Sequence, residues 1–97
     1  MTMTLKNYQP MLKELYAELL KLETEAEAEI FLEDLCTIKE LESMCQRLKA
    51  AKMLLAGKTY NEIVEETDIS SATLARVSKC VHYGNGGYKT VIGKSKK

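Results

Sequence analysis

An all-α fold is predicted by three features of this 97-residue sequence. Apolar residues recur at three- and four-residue spacing along most of its length. Thr37 with Glu40, and Thr59 with Glu62, have the spacing of helix capping boxes. No stretch of useful length alternates with the two-residue period of a strand.

The first helix runs from Asn7 or Tyr8 to about Leu22. Leu12, Leu15, Tyr16, Leu19 and Leu22 line one side, and Lys13, Glu14, Glu18 and Lys21 the other. Pro10 fits within the first turn, where its missing N–H costs little. Thr24 caps a second helix, Glu25 to about Leu35, with Ala26, Ile30, Phe31 and Leu35 apolar and an acidic back. Thr37 opens a third and longer helix with the stripe Leu41, Met44, Cys45, Leu48, Ala51 and Leu55, and Gly57 is placed to stop it. Thr59 then opens a short helix whose inward residues are Ile63 and Val64. The pattern breaks at Thr67-Asp68-Ile69, and Ser70 or Ser71 caps a further helix with Leu74, Val77 and Val81 inward. Ile69 fills the gap between these two helices. Asp68 stands where such turns usually carry glycine, because the backbone there needs positive φ, and aspartate tolerates that region better than most residues. From Gly84 onward glycines and lysines show no helical period. The chain is therefore expected to be one structural domain in three parts: N-terminal dimerisation helices over 1–36, a central helix with a helix-turn-helix over 37–84, and a flexible basic tail over 85–97.

The formal net charge of zero conceals a split. Residues 1–36 carry three Lys against eight acids, and residues 37–97 carry eleven basic residues against six acids. No acid occurs from Ile69 onward, where Arg76, Lys79, Lys89, Lys94, Lys96 and Lys97 lie. A basic C-terminal half suits a polyanion. Cys36, Cys45 and Cys80 have no paired spacing and leave one odd, which favours a reduced, cytoplasmic setting. No apolar run approaches a membrane span, and the N-terminus lacks the layout of a signal peptide. Cys80-x-His82 with a single His makes a poor metal site, and no metal or cofactor is expected. With no Gly-rich phosphate loop and no nucleophile beside a base, the chain is not expected to be an enzyme.

Two short helices joined by a tight turn form the layout that places a second helix in the major groove of double-stranded DNA. With Ile63, Ile69, Leu74 and Val77 inward, the outward set is Ser70, Ser71, Ala72, Thr73, Ala75, Arg76 and Lys79. Hydroxyls suit base edges or phosphates, the two alanines a thymine methyl, Arg76 a guanine or phosphate, and Lys79 a phosphate. Tyr60 and Asn61, at the start of the preceding helix, stand where free N–H groups favour a phosphate. One of the two serines is expected only to cap.

The segment LCTIKELESMCQRLKAAKMLLAG, followed by LLAGKTYNEI, SATLARV and the HYGNGGY end, resembles the Trp repressor family, nearest its YerC/YecD-type branch, over about residues 35–88. The resemblance implies an intertwined all-helical homodimer that binds palindromic operator DNA as a bacterial transcriptional regulator, a repressor, resident in the cytoplasm and nucleoid-associated when bound. It also implies a ligand pocket at Thr37, Arg47, Arg76, Val77 and Cys80. Val77 stands where the tryptophan-responsive member has a ring-accommodating glycine, and Cys80 where it has a serine. Tryptophan is therefore not expected as corepressor, and any small-molecule effector is of another kind. The alternative is a protein-interaction module whose acidic half meets a basic partner and whose helix-turn-helix serves packing only.

Overall fold

The protein, here in a computed structural model, is described over residues 5–94. Its helices among these residues are α1 (Gln9–Leu19), α2 (Glu25–Leu35), α3 (Ile38–Leu55), α4 (Tyr60–Thr67), α5 (Ser71–Tyr83) and α6 (Gly87–Ile92), with a 3-10 turn, Leu5–Tyr8, before α1. The fold is all-helical, and no strand occurs among the described residues. The chain forms two compact units divided between Cys36 and Thr37.

In the first unit, Pro10 sits in the first turn of α1. The helix ends at Leu19, three residues before the end its apolar pattern predicts. The amides of Lys21 and Leu22 bond three residues back, to Glu18 and Leu19, so the last turn tightens and stops. Thr24 caps α2 by accepting from the Glu27 amide at 3.1 Å. Neither α1 nor α2 contains a buried residue. Tyr16 and Leu35 remain about half exposed, and Ile30 is 65% exposed.

The second unit is organised by α3, against which α4, α5 and α6 pack. Thr37 and Glu40 close a capping box at its start. At its end Gly57, at φ 85°, donates to the Leu54 carbonyl while Lys58 donates to Met53, the paired bonds of a Schellman stop. The core consists of Ala50, Ala51, Met53, Ile63, Ile69, Leu74, Val77 and Val81, with Leu54, Tyr88 and Ile92 packed at its edge. Two details differ from the sequence expectation. Ala50 and Met53 are core residues of α3, whereas Met44, Leu48 and Leu55 of the expected stripe are about 40% exposed. The alanines let α4 and α5 approach closely, and the longer side chains fall on a neighbouring, open side. Val64, expected inward, is also exposed, leaving Ile63 alone to anchor α4.

Residues 87–92 correct the expectation of a flexible tail across 85–97. They form α6, held by Tyr88 and Ile92 at helical spacing. Gly84 makes the bend that precedes it, since a Cβ there would lie 2.4 Å from the Cys80 carbonyl oxygen. Lys96 and Lys97, assigned to the tail, lie outside the described residues.

The capping box of α4 makes part of the stability depend on pH. The Thr59 amide donates to Glu62 Oε1 at 2.8 Å, and the Glu62 amide donates to the Thr59 hydroxyl at 3.2 Å. The bond from the Thr59 backbone, then its side chain and the nearby Lys58, hold the Glu62 carboxyl below its ordinary value. A carboxyl depressed in the folded state stabilises above its unfolded pKa, and that contribution fades as pH falls through the lower folded value. Thermal melts from neutral pH to about pH 3 should therefore show a shallower acid-side decline for Glu62→Gln than for the wild type. Parallel curves would remove the cap from the acid response.

Candidate nucleic-acid interface

The turn between α4 and α5 is built from its own residues. Asp68 adopts the left-handed conformation, φ 61° and ψ 22°, and donates to the Val64 carbonyl at 2.9 Å. Thr67 uses its hydroxyl twice, donating to the Ile63 carbonyl at 2.7 Å and accepting from the Ile69 amide at 3.2 Å. Ile69, 2% exposed, closes the wedge between the helices. Ser70 is the cap of α5. Its Oγ accepts from the Thr73 amide at 3.1 Å and its hydroxyl donates to Thr73 Oγ1 at 2.9 Å.

With Leu74, Val77 and Val81 committed to the core, α5 turns Ser71, Ala72, Ala75, Arg76 and Lys79 outward, and all five are exposed. Thr73 is half-buried beside them. Neither Arg76 nor Lys79 has an acidic partner among the described residues, whose ion pairs are Lys21–Glu18 and Lys49–Glu66. Tyr60 and Asn61 are exposed at the start of α4. A helix face of hydroxyls, methyls and two free cations can donate to base edges and attract phosphates.

Four of the five residues assigned to a ligand pocket come together. Arg47 of α3 and Arg76, Val77 and Cys80 of α5 line a cavity of about 260 Å³, with Tyr88 of α6 as a fifth wall. Thr37 is not among its lining residues; its hydroxyl caps α3, accepting from the Glu40 amide at 3.1 Å. Val77 is 1% exposed, yet it bounds the space without closing it. Tyr88 was missed because α6 is too short to show a period. Its only sequence signal is the 88, 91, 92 spacing of Tyr, Val and Ile. Beside this cavity a more apolar groove of about 530 Å³ includes Leu48, Cys80, Tyr88, Val91 and Ile92. No group of three or more His, Cys, Asp or Glu among the described residues is arranged to hold a metal ion. No helix among them is long and apolar enough to cross a membrane.

The family described as Trp repressor protein matches residues 10–96. The chain belongs to the Trp repressor family. Relatives agree along nearly its whole length. The uncharacterized protein YerC of Bacillus subtilis (strain 168) is 42% identical over 85 residues, 88% of this chain and 82% of that protein. A candidate Trp repressor from Staphylococcus aureus superposes with a TM-score of 0.87 at 36% identity, over 95% of this chain and 93% of the other. A TrpR-like protein from Eubacterium eligens does so with a TM-score of 0.86 at 39% identity, over 97% and 100%. Trp repressor family members carry a regulator fold of the helix-turn-helix DNA-binding kind, and the family is not one of enzymes.

Proposed function

We propose that this protein is a sequence-specific transcriptional repressor that binds a palindromic operator in double-stranded DNA as a homodimer, in the bacterial cytoplasm and at the nucleoid. The observation that carries this reading is the division of α5. Its Leu74, Val77 and Val81 side is sealed into the core, while Arg76 and Lys79 stand unpaired on an open face of small polar residues. Ser71, Ala72, Thr73 and Ala75 read base edges. Arg76 and Lys79 hold the backbone, and Tyr60 and Asn61 meet a flanking phosphate. Ser70 serves the cap and the orientation of Thr73.

Pairing of two copies is supported by the open apolar sides. Met44, Leu48 and Leu55 on α3, and Tyr16, Ile30 and Leu35 in the first unit, are 39–65% exposed. Two recognition helices about 34 Å apart meet successive major grooves on one side of DNA. The cavity between Arg47 and Arg76 suits a small anionic effector. Tryptophan is a poor fit because Cys80 offers a thiol in place of a hydroxyl and Tyr88 already contributes a ring to the wall.

Three measurements test these points. Duplexes selected from a random pool by the purified protein should share a palindrome, outcompete random duplex, and bind more weakly as salt rises. Light scattering at micromolar concentration should give twice the 10.9 kDa chain mass, and millimolar L-tryptophan should leave operator affinity unchanged. Absence of any selected motif at low salt would return the chain to the interaction-module reading. A monomer mass would remove the palindrome, and tightening by tryptophan would restore it as corepressor, since linked ligands strengthen each other equally.

A further inference from the structure

The turn bonds described above are internal to the helix-turn-helix. They fix its local shape but do not tie it to the rest of the fold. One further bond does. Gln46 Nε2, from the middle of α3, donates to the main-chain carbonyl of Thr67 at 3.1 Å, across 21 residues of sequence, and both residues are half-buried. Thr67 is the last residue of α4, and carbonyls in that final turn have no partner within their own helix. A partly buried carbonyl left without one is costly, so the amide has a strong reason to stay in place. The nearby pair Lys49–Glu66, at 3.8 Å with both side chains more than half exposed, ties the same two helices far more loosely.

We propose that Gln46 is the positioning residue that sets the reading angle of α5, by clamping the last carbonyl of α4 to α3 where the turn begins. This rests on the DNA-reading function proposed above. At about 1.5 Å rise per residue, a tilt of roughly 10° at Ser70 moves the backbone at Thr73 by about 0.8 Å and at Ala75 by about 1.3 Å. A displacement of that size breaks a base-edge hydrogen bond, whose useful range spans only about half an ångström. It leaves the attraction of a cation to a phosphate backbone nearly unchanged. Gln46 therefore controls discrimination between sequences and leaves the general hold on DNA alone.

Two variants separate this from simple stabilisation. Gln46→Met keeps the side-chain length and removes the donor. Gln46→Glu presents an acceptor to an acceptor when ionised and regains a donor when protonated. Well below the melting temperature of each variant, Gln46→Met should lose about tenfold in the ratio of selected-duplex to random-duplex affinity, with random-duplex binding within twofold of wild type. Gln46→Glu should lose at least as much at neutral pH and recover, relative to wild type measured at the same pH, as pH falls through the carboxyl range. A third readout needs no DNA: amide exchange at Asp68 and Ile69 should quicken about tenfold in Gln46→Met while the amides of Met53 and Leu54 keep their protection. An unchanged affinity ratio together with unchanged exchange overturns the proposal, as does a Gln46→Glu ratio that, relative to wild type, ignores pH. If wild type selects no duplex but exchange at the turn still responds to Gln46→Met, the regulator reading falls and the clamp stands.

Discussion

Leu74→Ala is expected to lower the free energy of unfolding by about 2–5 kcal/mol, the range for truncating a fully buried leucine. Leu74 is 0% exposed on the back of α5 and belongs to the same core cluster as Ala50, Ala51 and Ile63. The alanines opposite have no side-chain length with which to fill the space left behind. Domains of this size have only about 5–15 kcal/mol in total, so the loss is a large fraction of it. Each kcal/mol moves the midpoint of a 60–100-residue domain by about 4–8 °C. Thermal denaturation at fixed chain concentration, followed by circular dichroism, should show a fall of about 8 °C or more. Ala72→Ser, on the exposed side of the same helix, should shift it little. A Leu74→Ala midpoint within 2 °C of wild type would mean that α5 is not seated by this residue.

The second large effect is on DNA. Thr73→Ala should change the preference among operator variants by about 1–3 kcal/mol at a single base pair. Ser71→Ala should do the same at a different position. Thr73 is the more constrained of the two, since the Ser70 hydroxyl donates to its Oγ1 at 2.9 Å and holds the side chain in one orientation before DNA arrives. Thr73→Ser keeps the hydroxyl and should keep most of the preference. Lys79→Ala should weaken selected and random duplexes alike, and lower the slope of log affinity against log salt by about one. Titrations at several salt concentrations resolve the two patterns. Uniform loss on every duplex for all three alanine variants would erase the distinction between base-reading and phosphate-holding residues.

The parts of this fold that were legible beforehand are those governed by local chemistry. Thr24, Thr37 and Thr59 cap helices because a hydroxyl two or three residues before a free amide has an immediate use. Asp68 adopts positive φ because the turn demands it and aspartate accepts it. Ile63, Ile69, Leu74, Val77 and Val81 read as core from spacing, and they are core. The convergence of Arg47, Arg76, Val77 and Cys80 on one cavity followed from family likeness rather than from spacing. What stayed hidden depends on partners remote in sequence or on elements too short for a pattern. Ala50 looks the same to a periodicity argument whether it faces core or water. α6 has six residues, fewer than two turns. Gln46 is an ordinary polar helix residue until Thr67, 21 positions away, is seen to need it.

The absence of buried residues in α1 and α2 has a consequence for the order in which the protein is made. These helices leave the ribosome before α3 to α6. At eleven residues each they are too short to be stable alone in water. If a second copy provides their burial, their ordering is a bimolecular event, set by how many finished chains are present. In that case the protection of the two helices from proteases would rise with chain concentration, as the paired state fills.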